Sequence, residues 1–483
     1  MLEKTELTVF LRINFNNKFI KITMSRKTDV LRIKKAKSFG GEISVPGDKS
    51  ISHRAVMLAA ISNGPCRVDG FLPSDDCLST VGAIRTLGIQ VDILDEDKYG
   101  PNRLMIHGRG GKFNPPLENI DCGNSGTTMR LLSGILAGQK FTSVLMGDDS
   151  LSQRPMQRII EPLKLMGCEI IASGKNNSAP LTINGADLEA VRYELPIASA
   201  QVKSAIMLAG LFAKGKTTVV EPLQTRDHTE KMLDFFQVKT IRSNDEISID
   251  GGQILESRDI IIPGDISSAA FWFVSAAAFS GAKLTVKNVG LNPSRNGILK
   301  ILTRMGANVS ESIDTSGNGE EIGNVSIEGV GLKGIEINGD IVPNIIDEIP
   351  IIAVAGALAE GKTVIKDAAE LRVKESDRIS AVAGNLKAMG ADVKETDDGM
   401  VINGGRPLVG ANIDSYGDHR IAMAFSVAGL FAEGETVINN PECIAVSYPN
   451  FETHLKELLS PNKRGLDEPI PVIRSLSVEN DKD

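Results

Sequence analysis

At 483 residues the chain exceeds what one hydrophobic core ordinarily organises, so two domains or one two-lobed unit is expected. Its net charge of −8 gives no bulk attraction to nucleic acid or an anionic membrane surface, so any clustered cations are local devices. Five cysteines, Cys66, Cys77, Cys122, Cys168 and Cys443, stand apart with no CxxC pair and no histidine at ligand spacing, which argues against a disulfide framework or a metal site and fits a reducing, cytoplasmic setting.

Residues 1–31 read as an N-terminal extension. Arg12, Asn14, Asn16, Asn17 and Lys18 interrupt the uniform apolar run that a signal peptide or membrane helix requires, and Met24, followed by Ser25-Arg26-Lys27, offers an alternative start. Six segments then share one layout: a small or charged start, an apolar helix, a Gly-bounded strand, a second helix and a further strand. They begin near Pro46, Asp121, Pro196, Pro263, Asn344 and Asp414, spaced roughly 65 to 80 residues apart, which is longer than the common solenoid repeats. The leading helices are expected at 55–61, 128–136, 202–212, 269–279, 349–358 and 421–431; apolar almost all round, they should be buried.

A glycine turn and a β-branched strand follow, as in Gly215-Lys216-Thr217-Thr218-Val219-Val220 and Gly361-Lys362-Thr363-Val364-Ile365. Helices inside and strands outside are incompatible with a doubly wound sheet, and three copies per domain is the natural division. Val45-Pro46-Gly47-Asp48 and Ile262-Pro263-Gly264-Asp265 share their wording and read as domain crossings and hinges. The first domain is then 48–262, the second is 32–47 with 263–460, and 461–483 is an unstructured tail.

Charged residues gather where these helices begin. Gly47-Asp48-Lys49-Ser50-Ile51-Ser52-His53-Arg54 sets two cations and two hydroxyls at a helix start, whose free amides already favour anions, although a capped helix with solvated charges fits equally well. The second copy opens Asp121-Cys122-Gly123-Asn124-Ser125-Gly126-Thr127-Thr128-Met129-Arg130, a turn whose amides can approach an anion, and continues to Ser152-Gln153-Arg154-Pro155. Copy three has Ser199-Ala200-Gln201-Val202-Lys203 and Arg226-Asp227-His228-Thr229-Glu230, the latter open to reading as a charged helix face. Copy four, Asp265-Ile266-Ser267-Ser268, reads as a cap with no cation. Copy five carries Asn344-Ile345-Ile346-Asp347-Glu348 and Leu371-Arg372-Val373-Lys374-Glu375-Ser376-Asp377-Arg378, where spacings of three and four let Lys374, Glu375 and Arg378 share a helix face. Copy six gives Tyr416-Gly417-Asp418-His419-Arg420. Helix starts converging from two pseudo-threefold domains would enclose a positive cleft for small, multiply charged anions.

Taken in order, GDKSISHR, GNSGTTMR, SAQVK, RDHTE, NIIDE, RVKESDR and GDHRIAM make the chain, over about 32–460, resemble the 5-enolpyruvylshikimate-3-phosphate (EPSP) synthase family. The resemblance implies an α/β fold, a two-domain inside-out α/β barrel of six βαβαββ repeats, with the active site between domains. It also implies transfer of the enolpyruvyl group of phosphoenolpyruvate to the 5-hydroxyl of shikimate 3-phosphate, on the route to aromatic amino acids, in a cytoplasmic monomer without metal or organic cofactor. Carried over by motif, Lys49, Ser50, Arg54, Ser199, Gln201, Arg226, Asp347 and Lys374 hold shikimate 3-phosphate; Lys49, Gly126, Arg154, Gln201, Arg378 and Arg420 hold phosphoenolpyruvate. Asp347 is the base for the hydroxyl, Glu375 the acid for the methylene, and Lys49 serves both anions. Glyphosate competes with phosphoenolpyruvate in this family, beside the glycine that Gly126 matches.

SAQVK and RDHTE resemble a second subclass, which expects Asn-x-Thr-Arg where this chain has Asn292-Pro293-Ser294-Arg295. The C-terminal motif Ile444-Ala445-Val446-Ser447-Tyr448-Pro449 lacks the lysine that many relatives place there. Three alternatives have discriminators. A sister enzyme that transfers enolpyruvyl to a UDP-sugar keeps a cysteine in its catalytic loop; a six-repeat DNA clamp spreads its charge along helices; a metabolite-binding protein has no need of both Asp347 and Glu375.

Overall fold

The computed structural model of the chain describes residues 30–317 and 319–460. Expectations for 1–29, for the alternative start at Met24 and for the tail at 461–483 lie outside the described residues. The extension boundary needs correcting, because Val30 and Leu31 open a strand, Val30–Lys34, that pairs antiparallel with Glu435–Asn439. The second-domain segment drawn from 32 therefore takes in Val30 and Leu31 as well.

The second copy shows the repeat plainly. A short leading strand, Ile120–Asp121, enters the helix Gly126–Ala137 and the chain returns as Thr142–Met146, parallel to the leading strand. The helix Gln157–Leu165 then leads to an antiparallel hairpin, Glu169–Ala172 with Leu181–Asn184, and the last strand joins Thr142–Met146. Copies three and five repeat this βαβαββ order. Copies one and four exchange leading strands: Gly41–Ser44 precedes the first leading helix yet pairs with Lys283–Gly290 of copy four, while Ile260–Ile261 precedes the fourth and pairs with Pro65–Asp69 of copy one. Copy six replaces its hairpin with Val30–Lys34 from the other end of the chain.

The two crossings touch, Gly47 bridging to Gly264. A Cβ on Gly47 would fall 2.0 Å from the Gly70 carbonyl oxygen, so only glycine lets this crossing lie so close to the turn that follows Pro65–Asp69.

The leading helices are Lys49–Ile61, Gly126–Ala137, Ala200–Gly210, Ile266–Ala278, Ile349–Leu358 and His419–Gly429. Five begin earlier than their apolar pattern because the polar residues before it form the first turn. Asp48, Ser125, Ser199, Asp265 and Asp418 each accept a hydrogen bond from a first-turn amide, which satisfies N–H groups that a buried helix end would leave orphaned. In Ile349–Leu358 every residue but Leu358 is buried.

Buried apolar side chains form two clusters, one drawn from Ile51 to Ile262 and the other from Ile33 to Val45 together with Ile266 to Leu458. In the second cluster the three leading helices pack on one another. Trp272 donates its indole N–H to Tyr448 Oη at 2.7 Å and stacks on Phe451. Truncating a fully buried helix residue such as Ile352 to alanine should cost about 2–5 kcal/mol. Among the described residues no single helix is long and apolar enough to cross a membrane.

Candidate active site between the domains

The starts of leading helices from both domains line a cavity of about 480 Å³. Lys49, Ser50, Arg54, Ser199, Gln201 and Arg226 form one wall, and Asp347, Lys374, Glu375, Arg378 and Arg420 form the other. Gly126 and Arg154 stand just behind the first wall. Arg154 Nη1 lies 3.6 Å from Glu375 Oε1 across the cleft, and a Cβ on Gly126 would lie 3.6 Å from the same nitrogen. Arg154 Nε is buried without a hydrogen-bond partner.

Arg378 organises the second wall. Only 1% exposed, it contacts Asp418 at 2.8 Å, Glu375 at 2.6 Å and Asp347 at 3.2 Å. Burial alone would weaken this cation, but Asp418, Glu375 and Asp347 outweigh it and raise its pKa. Burial would likewise raise Asp347, yet Arg226, Lys374, Arg420 and Arg378 hold its carboxyl well below the usual range. Arg226 reaches Asp347 from the opposite domain, and Arg420 donates to the Asp347 carbonyl at 3.1 Å. Glu375 behaves in the same way: burial pushes it up, and Arg378, Arg154, His419 and Lys374 bring it well below. Burial, then Lys49, pushes His419 down to about 3, so this imidazole is neutral at pH 7.

On the first wall Lys49 pairs with Asp76 at 2.5 Å. Arg54 spends three donors on neutral oxygens, Thr229 Oγ1, the Ser50 carbonyl and Ser204 Oγ, and burial pushes it down to about 10. It remains a cation at neutral pH.

Three readings of the sequence change. Lys374, Glu375 and Arg378 do not share a helix face, because Lys374 is extended and the helix Arg378–Ala388 starts after Asp377, its cap. The Glu375–Arg378 contact survives as a turn around that cap. Copy four does carry a cation: Arg295, from the Asn292-Pro293-Ser294-Arg295 motif, bonds Ser267 Oγ, faces Asp265 at 3.6 Å and Asp48 at 3.8 Å, and lines the cavity. RDHTE is no solvated face, since His228, Thr229 and Glu230 are buried.

The motifs SAQVK, RDHTE and Asn292-Pro293-Ser294-Arg295 are one another's partners. Lys203 is fully buried between Glu221 at 2.9 Å and Glu230 at 2.7 Å. Asn292 bonds both Asp227 and Glu320 at 2.7 Å, and His228 bonds Glu320 at 2.6 Å. The Lys203 pairs lie within the first domain, whereas the Asn292–Asp227 and His228–Glu320 contacts stitch one domain to the other beside the crossings. Residues the sequence reading left unassigned include Asp76, Thr127, Arg130 and Asp418. Thr127, Arg130 and Asp418 lie inside quoted motifs, whereas Asp76 has no local signal. Cys122 is buried and burial raises its pKa, leaving it no thiolate character of the kind a catalytic-loop cysteine needs. Among the described residues no group of His, Cys, Asp and Glu could hold a metal ion.

Two α/β domains joined by twin crossings set cations on one side and two guanidinium-bound carboxylates on the other around one cleft, the site of a protein that handles small polyanions. Comparison with known proteins specifies which. The family model for EPSP synthase (3-phosphoshikimate 1-carboxyvinyltransferase) matches residues 33–455. A 3-phosphoshikimate 1-carboxyvinyltransferase of Akkermansia muciniphila is 51% identical over 427 residues, covering 87% of this chain and 98% of that protein. One of Desulforamulus reducens is 48% identical, covering 89% and 99%. A solved EPSP synthase structure from Acinetobacter baumannii is 45% identical, with a TM-score of 0.79 over 88% of this chain and 97% of that one. The chain belongs to the EPSP synthase family. It is a transferase that moves the enolpyruvyl group of phosphoenolpyruvate to the 5-hydroxyl of shikimate 3-phosphate and releases phosphate.

Proposed function

We propose that Asp347 is the base and Glu375 the acid of this transfer, and that the observation carrying the assignment is their shared contact with Arg378. One guanidinium fixes both carboxylates, so a hydroxyl and a methylene placed between them meet two proton-transfer groups at once. Asp347, held ionised, takes the 5-hydroxyl proton as that oxygen attacks the enol carbon. Glu375, which takes up a proton from solvent when phosphoenolpyruvate engages its guanidinium partners, protonates the methylene, and the C=C pair becomes the new C–H bond. A tetrahedral intermediate results. Glu375, now a carboxylate, takes a proton back from the methyl group, the double bond re-forms and phosphate leaves with the proton held on Asp347.

Shikimate 3-phosphate is read as lying against Lys49, Ser50, Arg54, Ser199, Gln201, Arg226, Asp347 and Lys374. Phosphoenolpyruvate is read against Lys49, Gly126, Arg154, Gln201, Arg378 and Arg420. The clustering of nearly all these residues on one cavity supports this, as does the excess of cations, which would stabilise charge developing on the departing phosphate. The working units are 48–262 and the strand-exchanged remainder up to 460, in a cytoplasmic monomer.

The test is phosphate release with purified protein. Release that requires both phosphoenolpyruvate and shikimate 3-phosphate, is not supported by a UDP-sugar acceptor, and is lost in Asp347→Asn and Glu375→Gln supports the assignment. Wild-type turnover in either variant removes that residue's role.

A further inference from the structure

We infer that Arg130 is a positioning residue for the substrate cleft, forcing the Gln201 side-chain amide to turn its N–H groups toward the bound anions. This rests on the proposed role of Gln201 as a ligand of both substrates. Arg130 lies one helical turn after Gly126, and its Nη1 donates to Gln201 Oε1 at 2.7 Å. A guanidinium has donors and no acceptor, so only the carbonyl side of an amide can face it. Gln201 Nε2 then points the other way, donates one N–H to Thr127 Oγ1 at 3.0 Å, and keeps its second N–H for the cavity that Gln201 and Thr127 line.

An amide otherwise has no intrinsic preference between its two flips. Reversed, Gln201 would set a carbonyl oxygen against phosphate or carboxylate oxygens, turning an attraction into a repulsion. A structural salt bridge does not account for Arg130: among the described residues no carboxylate pairs with it. Burial, with Arg154 beside it, pushes its pKa down to about 10, so it stays charged at neutral pH. A half-buried cation kept next to a second cation is disfavoured unless something uses it. Here the use is orientation.

The experiment compares Arg130→Lys, Arg130→Gln and Arg130→Met by KM and kcat for both substrates, with melting temperature as a folding control. Lysine is donor-only and should retain KM values near wild type. Glutamine, which can also accept, and methionine, which cannot donate, should raise both KM values roughly tenfold or more with a much smaller change in kcat. In a Gln201→Leu background, Arg130→Met should add almost nothing, because the group it orients is gone. Unchanged KM values in Arg130→Gln or Arg130→Met, or the full Met effect persisting on top of Gln201→Leu, would overturn the inference. Should the Met variant fail to fold, the Lys and Gln pair decides, equal impairment of the two counting against it. Absence of turnover in the wild type would instead fault the functional assignment, so the two failures are distinguishable.

Discussion

Protonating a methylene carbon requires a carboxylic acid, yet Arg378 and Arg154 hold Glu375 as a carboxylate against the opposing pull of burial. Both guanidiniums are proposed ligands of phosphoenolpyruvate, so anionic substrate oxygens that engage them release Glu375 to bind a proton. Formation of the ternary complex should therefore take up protons, seen as a binding enthalpy that changes with the ionisation enthalpy of the buffer. Glu375→Gln should abolish that uptake and lower kcat on the order of 10²- to 10⁴-fold; Asp347→Asn should lower kcat similarly and leave the uptake intact. The sign carries into the pH profile: kcat should fall as pH rises through the value Glu375 acquires in the complex, where its proton is lost. Gly126 works through a neighbour. A methyl there would fall 2.8 Å from Arg130 Nη1, so Arg130 must move and Gln201 with it. The guanidinium tip can give way, so the cost lies in the displaced Arg130–Gln201 bond, about 1.5–3 kcal/mol for a hydrogen bond from a charged donor, and Gly126→Ala should raise the KM for phosphoenolpyruvate roughly 10- to 150-fold. The inhibition constant of glyphosate, which the family resemblance sets as a longer competitor in the proposed phosphoenolpyruvate space, should rise by more. Equal factors would make Gly126 a requirement of the turn itself and not a wall of the pocket.

The leading helices were legible in the sequence because an apolar run of ten or so residues leaves few alternatives, but their first turns were not, because Lys49 or Arg420 carries no hydrophobic signal. Capping is what revealed them: Asp48 and Asp418 start helices that the apolar pattern begins later. Capping also corrects Lys374 to Arg378, where charge spacing suggested a helix and Asp377 caps one only at Arg378. The cap at Asp265 is different in kind, since Asp265 and Asp48 share the single guanidinium of Arg295 at the two crossings. Burial, then Asp48, pushes Asp265 up to about 6 despite Arg295 and Arg420, whereas Arg295 and His228 keep Asp48 low against its own burial. A carboxyl with a higher pKa folded than unfolded binds more protons when folded, so it withdraws stability as pH rises from about 4, and the deficit persists at pH 7. The substitution Asp265→Asn separates charge from capping, because it keeps an acceptor for the Ser267 amide and removes the charge. It should melt a few degrees above wild type at pH 7 and lose the advantage by pH 4, while Asp265→Ala, lacking the acceptor, should melt below Asp265→Asn. An Asn variant that melts below wild type at pH 7 would mean that Arg295 is better served by two carboxylates than by one.

At the scale of the whole molecule, the paired Pro-Gly-Asp crossings could be read from sequence, but the exchange of leading strands could not: Ile260–Ile261 is two residues long and finds its partner in Pro65–Asp69, far along the chain and beyond any local pattern. Nor could the stitching of RDHTE to Asn292 and Arg295, which spacing along the chain does not predict. What joins the domains across the cleft is mostly charge. Arg226 reaches Asp347, Arg154 faces Glu375, and at the rim Arg158 grips Glu370 through two parallel bonds of 3.0 Å. The rim pair is exposed on both sides, 42% and 37%, so it is worth about 0–1 kcal/mol and is open to screening. Substrate anions held by the proposed ligands would, in contrast, engage cations of both walls at once, inside the cleft where salt screens least. The screening length falls from about 10 Å at 0.1 M to about 3 Å at 1 M, so high salt should part the domains of the free enzyme and shikimate 3-phosphate with phosphoenolpyruvate should close them again. Small-angle scattering would register this as a radius of gyration that grows with salt and shrinks on adding both substrates. Arg158→Ala should shift the opening to lower salt and raise KM more than it lowers kcat, since it removes a clasp and leaves the proposed ligands in place. A radius of gyration indifferent to salt, substrates and Arg158→Ala alike would mean that the two domains form one rigid body and that the crossings at Gly47 and Gly264 are not hinges.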